Sequence, residues 1–430
     1  MNRYSILGLL FFSLLLTNLT SLQADTIRHM QYNLLFYTNN ATEDCNSSTN
    51  NLDEKDAALK QIVKYVMPVV LTVNEIGKEQ IYADRILNNV LNTDNINYYG
   101  YLPAVSNSSS SITTGNRLFY DTRKFALHSS FYVSTSVAYF NAYKMYYRST
   151  QLAQGDTAFI TFIVCHLKAG STDANKTTRK SQVLSLMNKL QSLGKADNYV
   201  LSGDLNLYGA SEEAYQTLIH NSNSLIRFYD PIEQEGEWHN NYDYSNYHTQ
   251  STHTESNGCA SAGGLDDRFD FILVSNYINY GLRKVQCLRD TYHALGQDGD
   301  HFNGSINSYN SAVPSYIADA LYNMSDHLPV IMDYRIDATV GIAEQADNKF
   351  PITFANPIND HLNISTNLLK DDILTFDLYS IDGKLLNQWV ESVPAGAHRL
   401  TFKFPYTPAL YIVRVMDSQK RTSSYKIIKY

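Results

Sequence analysis

Hydrophobic and polar positions change period repeatedly between residue 26 and about residue 337. Short apolar runs predict strands over residues 26–33, 68–74, 117–120, 125–134, 158–165, 198–202, 267–274 and 328–334. Helical spacing intervenes over residues 54–65, 80–91, 173–193 and 211–220. The third of these is the longest, with Val183, Leu184, Leu186, Met187 and Leu190 recurring on one face. Strands and helices mixed in this way predict an α/β domain with helices packed outside its sheets. The Ser/Asn/Thr/Gly run over residues 106–115 reads as a loop. The polar, Gly-containing stretch 240–264 reads as another, long enough to lie over a cleft.

The pattern changes after residue 337. Residues 338–350 hold few large apolar side chains and read as a linker. Beyond it, strand-like runs at 362–364, 373–379, 399–404 and 410–415 are separated by turns at Ser380-Ile381-Asp382-Gly383 and Pro394-Ala395-Gly396, which predicts a small β-sandwich. At the other end, Asn2, Arg3 and Tyr4 precede an apolar run from Ile6 to Leu16, and Leu22-Gln23-Ala24 offers a small residue for cleavage. That is the pattern of a secretory signal peptide, too short to span a bilayer comfortably, and no later segment is long and apolar enough for a membrane helix. The expected organisation is a signal over residues 1–24, a catalytic domain over 25–337, a linker over 338–351 and a C-terminal domain over 352–430.

Composition adjusts this picture in three places. A 430-residue chain that is 44% hydrophobic and 18% charged builds a packed core. A net charge of −8 argues against a broad basic face for nucleic acid, although a bound divalent cation can supply positive charge where a phosphate sits. The 33 tyrosines read as core aromatics rather than a series of base-stacking platforms. Cys45, Cys165, Cys259 and Cys287 allow three pairings in an exported chain, and Cys259 with Cys287 is favoured because it joins nearby segments. No pair has zinc-ligand spacing, and Cys165, in an apolar strand, reads as a core residue.

Candidate chemistry gathers at strand ends. Tyr32-Asn33, Asn74-Glu75, His166-Leu167, Gly203-Asp204-Leu205-Asn206 and Ser325-Asp326-His327-Leu328-Pro329 each place a metal- or phosphate-competent group there, and Arg268-Phe269-Asp270-Phe271-Ile272-Leu273 sets an acid in an apolar strand. Each alone has an ordinary reading as a turn residue, a helix-start acid, a satisfied histidine or a cap. Together they provide what phosphodiester cleavage needs: a carboxylate-held Mg2+ or Mn2+, a base for water and donors to phosphate oxygens.

In this order the motifs resemble the signature of the endonuclease/exonuclease/phosphatase superfamily, the relatives of deoxyribonuclease I, over residues 26–337. Two departures stand out. Asn74 occupies the place where the family usually has Gln, and the strand Val69-Val70-Leu71-Thr72-Val73 lacks the family's frequent Pro-Asp. The resemblance implies a four-layer α/β sandwich and a metal-dependent phosphoesterase hydrolase. It implies Glu75 as the principal metal ligand, with Asn33 and Asp326 helping. Asp204 would position or deprotonate water and Asn206 would hold a phosphate oxygen. His327, oriented by Asp270, would stabilise the phosphorane or transfer a proton, and His166 would contact phosphate or protonate the leaving oxygen. Whether Asp204 or His327 is the base stays open.

The C-terminal region has its own resemblance. Asn356-Pro357, Leu378-Tyr379-Ser380-Ile381-Asp382-Gly383-Lys384, Tyr411-Ile412-Val413-Arg414-Val415 and Lys426-Ile427-Ile428-Lys429 are similar to a type A sorting domain of type IX secretion, found in Bacteroidota, with Ala409-Leu410 where that family has Gly. It implies passage through the type IX machinery to the cell surface or medium. The expected protein is a secreted, monomeric nuclease acting on extracellular nucleic acid. The alternatives are a phosphatase or phospholipase C-type enzyme acting on sphingomyelin, a phosphoinositide or a sugar phosphate, or a non-catalytic surface protein on the same fold. The aromatic segment 131–147 reads as two strands facing the core rather than a lipid-seeking hairpin. Lys168, Arg179 and Lys180 are candidate phosphate contacts.

Overall fold

The computed structural model describes residues 24–336, apart from 40, 43, 104–113, 151, 153–154, 156 and 195–196, and residues 352–429, apart from 355, 369, 381–383 and 419–421. The expected signal peptide, most of the 106–115 loop, the linker and the turn at Ile381-Asp382-Gly383 lie outside the described residues. The chain divides into two compact units, one up to residue 339 and the other from residue 340.

Two six-stranded sheets form the first unit. The first has the order β11-β12-β1-β2-β4-β3, built from β1 (Asp25–Tyr37), β2 (Val70–Gly77), β3 (Tyr99–Leu102), β4 (Thr114–Asp121), β11 (Val285–Ala294) and β12 (Val330–Ile336). The second runs β5-β6-β7-β8-β10-β9, from β5 (Phe125–Ser134), β6 (Tyr139–Tyr147), β7 (Phe159–His166), β8 (Tyr199–Asp204), β9 (Phe228–Tyr229) and β10 (Asp270–Ser275). Ile27, Val70, Leu118 and Met332 of one sheet meet Met145, Phe162, Val200 and Ile272 of the other in a shared core. Helices α1 (Leu52–Val66), α2 (Gln80–Ile86) and α6 (Ser315–Met324) pack on the far side of the first sheet. Helices α3 (Asp173–Leu193) and α4 (Glu213–Ile219) cover the second, and the short helix α5 (Asn276–Asn279) directly follows β10. The result is the four-layer α/β sandwich expected. Among the described residues no helix is long and apolar enough to cross a membrane.

Local sequence explains the boundaries. The Asn51 side chain accepts the Asp53 and Glu54 N–H groups at the start of α1, and Thr172 does the same for Asn175 in α3. Gly194 closes α3 with φ 60°, a conformation glycine adopts without steric cost. On α3, Val183, Leu186, Met187 and Leu190 are buried as the periodicity predicts, whereas Leu184 is exposed. The expected helix over residues 80–91 is α2 followed by a π-helical turn, Leu87–Leu91. The aromatic segment 131–147 is a hairpin of β5 and β6: Phe140, Tyr143 and Tyr147 are buried and Tyr132 is exposed.

The cysteines pair differently from the expectation. Cys45 is bonded to Cys259, and Cys287 is a free thiol buried in β11. Nearness in sequence misled, because 214 residues separate the true partners. Cys165 is free and fully buried, and burial raises its thiol pKa, which leaves it inert as a nucleophile.

The second unit is entirely β where it is described. One antiparallel sheet has the order β13-β14-β17, from β13 (Ile352–Phe354), β14 (His361–Leu368) and β17 (Gly396–Lys403). The other has the order β16-β15-β18-β19, from β15 (Asp372–Ser380), β16 (Leu385–Val393), β18 (Ala409–Met416) and β19 (Thr422–Lys429). Leu362, Ile364 and Phe402 from one sheet share a core with Phe376, Val413 and Ile427 from the other.

Candidate active site

Register sets the site. In the parallel pair β7–β8, His166 stands opposite Asp204, and in the antiparallel pair β8–β10, Asp204 stands opposite Asp270. One rung of the second sheet therefore carries His166, Asp204 and Asp270 side by side, and residues on one rung project from the same face. In the first sheet, Asn33 stands opposite Asn74, one residue before Glu75. Pairing is irregular there: Leu35, Phe36 and Glu75 have φ of 43°, 49° and 57°. These irregularities re-aim the ends of β1 and β2 at a point where sheets often carry functional groups.

Gly203 is required by close approach. A Cβ there would lie 1.8 Å from the Cys165 carbonyl oxygen. Asn206 then turns the chain with φ 50°, and its N–H donates to Asp204 Oδ1 at 2.9 Å. Ser325 ties its motif to β1: its hydroxyl donates to the Asn33 carbonyl at 2.7 Å and accepts the His327 N–H at 3.1 Å.

The side chains converge. Asn33 Nδ2 donates to Glu75 Oε1 and to Asp204 Oδ2, both at 3.0 Å. His166 Nε2 lies 3.5 Å from Asp204 Oδ2 and 3.9 Å from Glu75 Oε1. His327 Nε2 lies 3.7 Å from the same Asp204 oxygen, and its Nδ1 lies 2.7 Å from Asp270 Oδ2. Asp326 Oδ2 accepts from the Ser261 N–H at 2.9 Å and from Gln250 Nε2 at 3.2 Å. Burial raises the Asp204 carboxyl, and Asp270 and Glu75 add to the rise; the positive ends of His166 and His327 oppose it, leaving it at about 6. Burial works against a charge on His327, but the charge and hydrogen bond of Asp270, with Asp204 and Asp326 beyond, outweigh it and hold the imidazolium well above its ordinary pKa.

The expected catalytic and metal sets thus interleave. Among the described residues, Glu75, His166 and Asp204 bring ligand atoms within 4.8 Å of one another. Asp326 Oδ1 is buried without a hydrogen-bond partner, as is Asp270 Oδ1. Carboxylate oxygens and a bare buried oxygen suit a hard divalent cation such as Mg2+ or Mn2+. Two expected roles need side-chain rotation. Asn33 turns its amide nitrogen to the acids, while its oxygen accepts the Leu35 N–H. Asn206 Nδ2 points at the Leu167 carbonyl, 3.3 Å away.

Several residues escaped the sequence reading. Thr249 donates to Asp270 Oδ2 at 2.7 Å and accepts the N–H groups of Phe269 and Asp270. Gln250 Nε2 lies 2.7 Å from His327 Nε2. Both sit in the 240–264 stretch expected over a cleft, yet a lone Thr and Gln carry no pattern. Asn74, at the departure from the family, braces the sheets together: its Nδ2 donates to the Cys165 carbonyl at 2.8 Å and its Oδ1 accepts the Asp204 N–H at 3.0 Å. Lys55 is buried beneath the site, donating to the Leu35 carbonyl and Asn50 Oδ1 at 2.6 Å, and burial lowers its pKa to about 7.

Two of the basic candidates are engaged elsewhere. Arg179 is fully buried, donating to both Glu212 oxygens at 2.9 Å and to the Lys168 and Gly170 carbonyls at 2.7 Å. Lys180 pairs with Glu213.

No family model and no curated protein sequence matches this chain. Solved structures do. An endonuclease/exonuclease/phosphatase family protein from Bacteroides thetaiotaomicron is 14% identical, with a TM-score of 0.45, over 73% of this chain and 99% of its own. A mannosyl-6-phosphatase from the same organism is 15% identical, with a TM-score of 0.45, over 72% and 99%. The human Nocturnin catalytic domain is 15% identical, with a TM-score of 0.42, over 73% and 97%.

Proposed function

We propose that this chain is a phosphoesterase that uses Mg2+ or Mn2+, with Glu75 and Asp326 as ligands and Asp204, His166 and the Asp270–His327 pair as the reacting groups. The observation that carries this reading is the convergence of Glu75, His166 and Asp204 from three strand ends, with His327 Nε2 3.7 Å from Asp204 and 3.9 Å from the bare Asp326 Oδ1. The cation, when bound, would offset the clustered carboxylates and polarise a phosphoryl oxygen.

The chain's own groups divide the remaining work. Asp204 lies between two imidazoles, with Oδ1 fixed by the Asn206 N–H, so Oδ2 is placed to orient a water and accept its proton. Asp270 fixes the His327 ring and leaves Nε2 facing Asp204; protonated, Nε2 would donate to a phosphoryl oxygen once the Gln250 amide nitrogen, 2.7 Å away, turns aside. His166, partly exposed, is placed to hold a second oxygen or protonate the leaving group.

The surroundings favour a small phosphoester over nucleic acid. Arg179 and Lys180 are committed to Glu212 and Glu213, while Asp267, whose carbonyl accepts the Thr249 and Gln250 N–H groups, adds an acid bonded to His239. Neither Arg179 nor Lys180 is then free to hold a polyanion. The full chain, given Mg2+ or Mn2+, should release phosphate from sugar phosphates and leave supercoiled plasmid intact. Plasmid nicking lost in His166→Ala would replace the small substrate with nucleic acid. No turnover of any phosphoester would remove the catalytic reading.

The same reading places the enzyme outside the cytoplasm, with residues 1–24 as export signal and residues 352–430 as a type IX sorting domain. The Cys45–Cys259 disulfide, typical of oxidising compartments, supports export, and the β-rich second unit ending in Lys426-Ile427-Ile428-Lys429 supports sorting. Fractionation of cells expressing the full chain or residues 1–351 tests it: both remaining intracellular would contradict it.

A further inference from the structure

The two carboxylates assigned to the cation are each held by a backbone amide, one from the last turn-like residues of β1 and one from a loop, and one covalent bond joins the loop that follows β1 to the other. Glu75 Oε2 accepts the Phe36 N–H at 3.0 Å. Phe36 is held in turn by Asn50, whose Nδ2 donates to its carbonyl at 2.7 Å, while Lys55 bridges Asn50 and the Leu35 carbonyl. On the other side, Asp326 Oδ2 accepts from Ser261 N and Gln250 Nε2. The Gln250 segment is laced to the Ser325-Asp326-His327 loop: the Thr252 N–H donates to the Asp326 carbonyl at 3.0 Å and the Leu328 N–H to the Thr249 carbonyl at 2.7 Å. Cys45 lies five residues before Asn50 and Cys259 two before Ser261, and they are bonded. Asn257 Nδ2 adds a contact to the Thr49 carbonyl at 3.2 Å.

We propose that the Cys45–Cys259 disulfide is a positioning element of the cation site, clamping the loop that braces Phe36 at the end of β1, and so Glu75, to the loop whose amide orients Asp326, with Gln250 as the side chain that completes the clamp. The inference rests on the cation reading above. Carboxylates that ligate a cation keep their aim through groups bonded to their outer oxygens, and losing such partners costs roughly ten- to a hundredfold in metal affinity. Loops of this composition, rich in Ser, Thr, Asn and Gly, have little apolar packing to restrain them once the bond is gone.

Calorimetric titration of the full chain with Mn2+ tests this. The oxidised wild type should bind, Glu75→Gln should lose binding, and Cys45→Ser/Cys259→Ser should bind roughly ten- to a hundredfold more weakly with a native circular dichroism spectrum. Gln250→Ala, which keeps the disulfide, should weaken binding in the same direction and covers the case in which the cysteine variant does not fold. Cys165→Ser/Cys287→Ser, whose thiols are free, should bind like wild type. Unchanged Mn2+ affinity in both the disulfide variant and Gln250→Ala, with Glu75→Gln still defective, would overturn the clamp and leave the cation site standing. Wild-type affinity in Glu75→Gln would overturn both.

Discussion

His327 Nδ1 lies 2.7 Å from Asp270 Oδ2, a contact made between a loop preceding β12 of the first sheet and strand β10 of the second. The carboxylate accepts the hydrogen bond of the Nδ1–H and points Nε2 at Asp204, 3.7 Å away. Thr249 holds the carboxylate through the same oxygen, so the histidine's aim depends on a three-residue relay drawn from three segments.

Replacing Asp270 with Asn removes the charge that favours the imidazolium and leaves only a neutral amide oxygen as its acceptor. The His327 titration should move down, and kcat should fall by roughly 10²–10⁴ with KM little changed. Histidine NMR titration and steady-state kinetics read the two effects separately. A fall in kcat without movement of the His327 titration would assign Asp270 to packing alone.

Asp204 predicts a trade of stability against activity. A carboxyl whose folded pKa is about 6 rather than 3.8 binds its proton more tightly folded than unfolded. Its contribution to stability is therefore full below about pH 3.8 and lost as pH rises to about 6, above which burying the charge costs on the order of 3 kcal/mol. In the metal-free protein, Asp204→Asn should raise the melting temperature at pH 8, leave it little changed at pH 4, and abolish hydrolysis. Scanning calorimetry at the two pH values checks the sign, and a lowered melting temperature at pH 8 would contradict it.

Arg179 separates a structural from a substrate-binding arginine. Removing one partner of a buried ion pair leaves the other uncompensated, so Arg179→Ala should destabilise the first unit by about 3–5 kcal/mol in denaturant titration. Where the variant remains folded, KM and its salt dependence should match wild type. A raised KM at unchanged stability would return Arg179 to the cleft.

Asn74 should couple the sheets to the site. Asn74→Ala would strand the Asp204 N–H and the Cys165 carbonyl, both buried, at a cost of about 1–3 kcal/mol each. Asn74→Gln, the residue usual at this place in the resembled family, should recover activity only partly, because the extra methylene must fit between two sheets.

The sequence disclosed the framework unevenly, for physical reasons. Helix α3 was legible to its ends because Thr172 and Gly194 cap a periodic run, and β7 and β8 because burial on both faces gives them the mostly apolar stretches 159–165 and 199–201. Strand β11 escaped because Arg289, Asp290, Thr291 and His293 break its pattern at an edge of the sheet. Helix α6 escaped because Pro314 and Ser315 start it inside a Ser- and Asn-rich run. The site's acids and histidines were legible as types at strand ends. Their neighbours Thr249, Gln250 and Lys55 were not, since each acts through contacts with residues 20 or more positions away. The disulfide was misread for the same reason: pairing follows the fold's geometry, which sequence distance does not report.

Metal-dependent hydrolysis at the cluster of Glu75, His166 and Asp204 is measured most directly with p-nitrophenyl phosphate and bis(p-nitrophenyl) phosphate. Wild type, Glu75→Gln and His166→Ala are each assayed in Mn2+, Mg2+ and EDTA. Metal-dependent catalysis at this cluster requires p-nitrophenol release by wild type with either cation, none in EDTA, and a loss of at least roughly 10²-fold in both variants. Release that persists in EDTA, or that both variants retain in full, would contradict it.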